Sequence, residues 1–261
     1  MTFISSLNAA LNSRGITASS FCNTSDATEL RILMEYGAVF LANRSVVIPD
    51  HFMFDSEAEV TAFQSRVRTS RENIGGTVIE LQSAAMTALQ AAVTDARAAR
   101  LTITPRGGAT AARRSHADTL GFWNDRIEQG IAHWTIRSNA DGALLSAAEV
   151  RTLRSLSGIA QMRNVFALEA RGFFFSTDKR KTILASVAAP GTSQHLFMLA
   201  LDIAEYSDAR VRRIMMQHGW FQTVFKDHPH FTFLGLSESV LPSLGLHSLI
   251  DSGQLFWVPQ P

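Results

Sequence analysis

Two short segments of this chain carry residue types that bind metal ions, and the first contains His195 and Asp202. The two residues stand seven positions apart, and the aspartate interrupts an apolar run between Leu201 and Ile203. A carboxylate in such a run is costly to bury unless it is paired or bound to a metal ion. We therefore expect Asp202 to have a cationic partner, and His195 is the nearest metal-binding residue before it.

The second segment begins at Asp227 and continues through His228 to His230, which opens a short apolar run typical of a strand. Two imidazoles and one carboxylate form a ligand set of catalytic zinc, which keeps a fourth position for water. We predict that His195, Asp202 and His230 bind Zn²⁺ as the cofactor. Asp227 and His228 are the candidates for the acid/base group that takes a proton from that water.

Both segments resemble the zinc signatures of the D-Ala-D-Ala carboxypeptidase and murein endopeptidase family, which includes the vancomycin-resistance dipeptidases and carboxypeptidases. The first signature is Ser-x-His with an aspartate seven residues after the histidine, and here it runs from Ser193 to Asp202 behind a Pro-Gly pair. The second signature supplies the last histidine at the start of a strand, here His230. The resemblance implies a zinc peptidase that hydrolyses peptidoglycan stem or cross-link peptides, in the periplasm or at the cell wall.

The resemblance also implies a role for an arginine that lies ahead of a helix with a Leu and a Trp. Arg114 occupies that place in this chain, with Arg106 and Arg113 as competitors and Arg180 as a more distant candidate. The planar guanidinium group can donate two hydrogen bonds to a substrate carbonyl or to the oxyanion of the transition state. We expect Arg114 to take this role.

The chain departs from the family pattern around the acid/base group. Asp227 stands where many members have a glutamate, and it is one methylene shorter. The murein endopeptidase branch uses a histidine two residues before the last ligand, and His228 stands there. Two alternative functions stay open: a zinc-containing module that binds wall peptides without cleaving them, and a zinc peptidase that acts on a different peptide.

Hydrophobic periodicity and turn signals predict the elements that must position these residues. The chain pattern predicts an α+β fold, with an antiparallel sheet, packed helices and the zinc site at the sheet. We expect residues 1–99 to form a helical N-terminal extension and residues 100–261 the carboxypeptidase-like core, together one compact unit. Helices are expected over 27–36, 56–71, 77–100, 115–134, 146–170 and 208–218. A hairpin is expected over 38–48, and strands over 101–104, 173–175, 183–187, 199–203 and 230–233.

Composition narrows the function classes. The 261 residues are 46% hydrophobic and 18% charged with a formal net charge of +1, which is typical of a globular domain. No arginine- or lysine-dense stripe is present, so nucleic acid is not an expected partner. The single cysteine excludes an intrachain disulfide. We expect no transmembrane segment and no secretory signal at the N-terminus, and the sequence does not determine the oligomeric state.

Overall fold

The computed structural model describes residues 1–260, which contain nine α-helices and three small antiparallel sheets. The helices are α1 (Phe3–Asn12), α2 (Ala18–Phe21), α3 (Ala27–Tyr36), α4 (Glu57–Arg66), α5 (Ser83–Ala98), α6 (His116–Trp134), α7 (Ala147–Ser155), α8 (Gly158–Ala170) and α9 (Ala209–Gln217). The strands are β1 (Thr69–Ile74), β2 (Thr77–Gln82), β3 (Ala200–Asp202), β4 (Trp220–Phe221), β5 (His230–Phe233), β6 (Leu246–Asp251) and β7 (Gln254–Pro259). The predicted α+β class is therefore confirmed.

The sheet that carries the predicted metal ligands has the strand order β3-β5-β4. Strands β3 and β5 run antiparallel, and their register pairs Asp202 with His230. Residues that face each other across such a pair have Cβ atoms about 4.5–5.5 Å apart. The register alone therefore brings together two ligands that are 28 positions apart in the chain.

The predicted strands and helices of the C-terminal half are partly wrong. The segment 173–175 has no regular secondary structure. Phe173 and Phe175 are buried, and the backbone carbonyl of Phe174 accepts a hydrogen bond from the Trp134 indole. Ile183–Ala185 is a 3₁₀ turn rather than a strand. The segment 101–104 makes no strand either; beside it, Pro105 forms an isolated bridge to Ile203. The predicted helix over 146–170 is broken into α7 and α8.

The N-terminal half contains a hairpin that periodicity missed. Thr77–Gln82 was predicted as the first turns of a helix, but it pairs with β1 around a turn in which Gly75 and Gly76 both have positive φ. Ile79 and Leu81 are buried in β2, while Val78 and Glu80 next to them are not. Burial therefore alternates along this segment with the period of a strand. The hairpin predicted over 38–48 is absent, because Gly37–Leu41 forms a 3₁₀ turn that is buried throughout.

One hydrophobic core includes residues from both predicted parts of the chain, from Phe3 to Leu246. Several aromatic side chains of this core pack around Phe197, which lies two residues after His195. The ring of Phe197 packs against those of Phe40 and Phe54, each with centroids 5.6 Å away, and against Phe63. Residues 1–99 therefore pack directly against the loop that presents His195. Within residues 1–260, no helix is both long and apolar enough to cross a membrane.

Gly191 fixes the start of this loop. Its φ is +78°, its carbonyl accepts a hydrogen bond of 3.0 Å from the Phe54 amide, and a Cβ here would overlap the carbonyl oxygen of Phe54. The Pro-Gly pair noted in the sequence thus has a steric reason.

We predict that Gly191→Ala lowers the free energy of unfolding by at least about 3 kcal/mol, through left-handed strain together with this overlap. Gly253→Ala is the matched control, because Gly253 has a φ of +75° with no atom within 4 Å of the added Cβ. Its cost is the conformational strain alone, about 1–2 kcal/mol. Urea denaturation measures both variants. Equal losses would show that the contact with Phe54 does not constrain the loop.

Candidate metal centre

The side chains of His195, Asp202 and His230 meet at one point of the structure and could hold a metal ion. His195 Nε2 lies 3.1 Å from His230 Nδ1 and 3.4 Å from Asp202 Oδ1. His230 Nδ1 lies 3.2 Å from the same Asp202 oxygen. Two imidazole nitrogens and one carboxylate oxygen therefore form a nearly equilateral triangle.

The size of this triangle fits a tetrahedral ion. Ligands at about 2.0–2.1 Å from a tetrahedral centre are about 3.3 Å from one another. The three measured edges, 3.1, 3.2 and 3.4 Å, are close to that value. An ion above the plane of the triangle would be held by three protein atoms and would keep a fourth position open.

His195 is presented by the 3₁₀ turn Gln194–Phe197, which ends where Met198 adopts a left-handed φ of 54°. The imidazole is only 1% exposed. Burial, together with the nearby Arg114 charge, lowers the pKa of His195 to about 4, so the ring is neutral near pH 7 and has a lone pair for a ligand. The buried Nδ1 has no hydrogen-bond partner among residues 1–260, so the group bound at Nε2 determines which nitrogen carries the proton.

Asp202 is held from two sides. Its Oδ2 accepts a hydrogen bond of 2.7 Å from Arg114 Nη2, and its Oδ1 faces the two histidines. Burial by itself would raise the pKa of this carboxyl, but the charge interactions and hydrogen bonds with His195 and His230 hold it well below its ordinary value. The carboxylate therefore stays ionised, with one oxygen reserved for the metal position.

Gln194 determines which nitrogen of His230 faces the triangle. Its Nε2 donates to the backbone carbonyl of Tyr36 at 2.9 Å, which leaves Oε1 as the acceptor. That oxygen lies 2.9 Å from His230 Nε2 and also accepts from the Thr232 hydroxyl. His230 must therefore carry its proton on Nε2, so that the lone pair of Nδ1 points to the metal position. This role of Gln194 could not be predicted from the sequence, because a glutamine between the serine and the histidine of the signature carries no signal of its own.

A cavity of about 350 Å³ opens beside the triangle, and both histidines and Asp202 lie in its wall. Asp227 also lines it. Asp227 is exposed to solvent. Partial loss of hydration next to the protein raises the pKa of its carboxyl, and the charge of Asp202 adds to this increase, while the charges of His230 and Arg114 oppose it. Asp227 has no hydrogen-bond or ion-pair partner among the described side chains. A carboxyl with a raised pKa beside a metal position is suited to proton transfer.

His228 does not line the cavity. Its Nε2 is hydrogen-bonded to Asp251 at 2.9 Å, and its ring packs edge-on against Phe256, which places it toward the β6–β7 hairpin. Lys226, with a left-handed φ of 69°, belongs to the turn that precedes these residues. Of the two candidates for the acid/base group, the structure places only Asp227 in the cavity.

Of the four candidate arginines, the structure places one in the wall of the cavity. Arg114 lines the cavity, its backbone amide donates to the His195 carbonyl, and its guanidinium group packs over Phe122 at the cavity wall. Arg113 pairs with Glu80 instead, and neither Arg106 nor Arg180 lines the cavity. Further lining residues that the sequence did not indicate are Tyr36, Asp125, Arg126, Gln129, the segment 184–188 and Lys226.

Comparison of the chain with protein-family models, with curated proteins and with solved structures found no match.

We predict that Gln194→Leu weakens metal binding by roughly 10- to 100-fold, because His230 loses the acceptor that fixes its proton on Nε2. Calorimetric titration of the metal-free protein with Zn²⁺ or Co²⁺ measures the affinity, and ¹⁵N NMR of the imidazole reports the tautomer of His230. The matched control is Gln222→Leu. Gln222 is also buried and donates to the His228 carbonyl and to Gln254, but its side chain makes no hydrogen bond to His195, Asp202 or His230. Equal affinity losses in both variants would mean that Gln194 acts only through stability.

Proposed function

We propose that this protein is a zinc-dependent peptidase in which His195, Asp202 and His230 hold Zn²⁺. The observation that carries the proposal is the triangle of two imidazole nitrogens and one carboxylate oxygen in the wall of a cavity that also contains Asp227. A nitrogen-rich set with tetrahedral spacing suits zinc better than magnesium or calcium, which prefer six or more oxygen ligands. Two neutral imidazoles and one ionised carboxylate are also the protonation states that binding requires.

When bound, the zinc ion supplies Lewis acidity and lowers the pKa of a water in its open position. The protein has to move the proton of that water, and Asp227 is the group in position to accept it. The raised pKa of its carboxyl brings proton uptake and release closer to neutral pH than in an ordinary aspartate. Asp227 can then deliver the proton to the leaving amine.

Arg114 has two tasks in this proposal. Its Nη2 holds Asp202 in place, and its Nε donates to the carbonyl of Thr110. Its Nη1 has no protein acceptor among residues 1–260, so this nitrogen remains for the carbonyl oxygen of the scissile peptide bond. A fixed cationic donor at that oxygen stabilises the negative charge that develops in the transition state.

We further propose that the substrate is a peptidoglycan stem or cross-link peptide, with the protein acting in the periplasm or at the cell wall. This part depends on the resemblance of the two signature segments to the D-Ala-D-Ala carboxypeptidase and murein endopeptidase family. The cavity volume, about 350 Å³, lies in the range of small-ligand sites and suits a peptide end rather than a folded protein.

The metal assignment is tested by elemental analysis of protein purified without chelator. We expect about one zinc per chain in the wild type and none in His195→Ala, because removing one of three ligands leaves a weak two-ligand site. His218→Ala is the matched control; His218 pairs with Asp95 and lies outside the cavity. No metal in the wild type after incubation with Zn²⁺ would overturn the ligand assignment.

The catalytic assignment is tested with variants of the two adjacent candidates. We expect Asp227→Asn to retain zinc and to lose roughly 10²- to 10⁴-fold in kcat on a D-Ala-D-Ala peptide, as for removal of a general base. His228→Ala should retain most of the activity, because its imidazole faces Asp251 instead of the cavity. Zinc binding without hydrolysis of any wall peptide would favour the non-catalytic module, and cleavage of L-peptides alone would favour a different peptide substrate.

A further inference from the structure

Arg126 is the cation of the cavity wall that lacks an acidic partner. Arg114 is paired with Asp202 at 2.7 Å, and the Nζ of Lys226 lies 3.9 Å from Asp251. Within the part of the chain that the structure describes, no carboxylate oxygen lies within 4.0 Å of the Arg126 guanidinium group, although Asp125 lines the same cavity. The positive charge of Arg126 is therefore not neutralised by the protein.

The hydrogen bonds of Arg126 are also incomplete. Its Nη1 donates to Gln129 Oε1 at 2.8 Å, whereas its Nε is buried without a partner. A buried donor on a charged group that stays unsatisfied costs free energy. The remaining nitrogen, Nη2, has no protein acceptor among residues 1–260, so it can donate to a carboxylate that enters the cavity.

Helix α6 places Arg126 close to the reacting end of the cavity. Phe122, Arg126 and Gln129 are spaced by four and three residues, so they lie on one helix face, and all three line the cavity. Phe122 packs against the guanidinium group of Arg114, which holds the metal ligand Asp202. One helical turn, about 6 Å of rise, separates Phe122 from Arg126, which is comparable to the length of one or two residues of an extended peptide.

We propose that Arg126 binds a carboxylate group of the substrate and thereby determines its specificity. This inference rests on the proposed peptidase function and names the substrate class, a peptide with a carboxylate one or two residues beyond the scissile bond. The carboxylate can be the free C-terminus of the chain, which would make the protein a carboxypeptidase, or the side-chain carboxylate of a diamino-acid residue within a stem peptide.

The test compares three probes on the zinc-loaded protein. These are diacetyl-Lys-D-Ala-D-Ala with a free C-terminus, the same peptide as its C-terminal amide, and an amidated peptide whose lysine is replaced by meso-diaminopimelate. We expect the free acid to have a kcat/KM roughly 10- to 150-fold above that of the amide, the range of a hydrogen bond to a charged group. Arg126→Gln should remove this preference, and Arg126→Lys should restore part of it. Recovery of activity with the diaminopimelate amide would identify the side-chain carboxylate as the source.

Arg213→Gln is the matched control, since Arg213 is an exposed arginine outside the cavity. Calorimetry on the Asp227→Asn variant measures binding without turnover, which separates this inference from the proposed function. Tighter binding of the acid than of the amide, lost with Arg126→Gln, would support the carboxylate site even if no peptide is cleaved. An acid preference that persists in Arg126→Gln but disappears in His195→Ala would assign the carboxylate to the metal and overturn the inference. Equal losses for acid and amide would overturn it as well.

Discussion

The antiparallel pairing of β3 with β5 is the constraint on which the candidate centre depends. It sets Asp202 opposite His230, and the neighbouring pair places Leu201 opposite Phe231 in the core. Side chains alternate across a strand, so a slip of one residue would turn Asp202 to the other face and bring an apolar side chain to the metal position. Both strands are short, and β3 has only three residues. The buried apolar neighbours Leu201 and Ile203 therefore have to hold the register, since any slip would bury the aspartate without its partners.

The third ligand, His195, lies in a 3₁₀ turn. The backbone carbonyls of such a turn are not paired within a sheet, so they need other hydrogen-bond donors. Two buried glutamines from residues 1–99 supply the missing donors. Gln64 donates to the carbonyl of Leu196 and also to that of Arg114, and Gln82 donates to the carbonyl of Phe197. The same N-terminal part provides the Tyr36 carbonyl that orients Gln194. Residues 1–99 thus support the centre directly, through hydrogen bonds to the loop that presents His195.

The sequence predicted the residues of the centre better than the elements around it. His195, Asp202 and His230 could be found because a carboxylate in an apolar run needs a partner, and their spacing resembles a known signature. The choice between Asp227 and His228 could not be made, because adjacent residues in a turn point in directions that depend on its dihedral angles. Gln194 was missed because a glutamine has no sequence signal until its partners are known. The β1–β2 hairpin was missed because Thr77 and Glu80 satisfy a helix-capping pattern equally well.

The charges of the cavity wall support the anionic ligand that we propose. Metal binding requires neutral imidazoles. With them, the charges of the Asp202 carboxylate and the Arg114 guanidinium group cancel, so a divalent ion at the triangle would add two positive charges to the cavity wall. Asp227 and Asp125 offset these two charges, and Asp251, 3.9 Å from the Lys226 Nζ, offsets that lysine, so the unpaired cation of Arg126 remains as an excess. Because charge interactions are stronger in a partly buried cavity than in bulk water, this excess is reduced most effectively by a carboxylate that arrives with the substrate. Asp227 is the acidic group beside the metal position that has no cationic partner. A carboxylate that is not held in an ion pair can exchange a proton more readily, because no paired cation stabilises its ionised form.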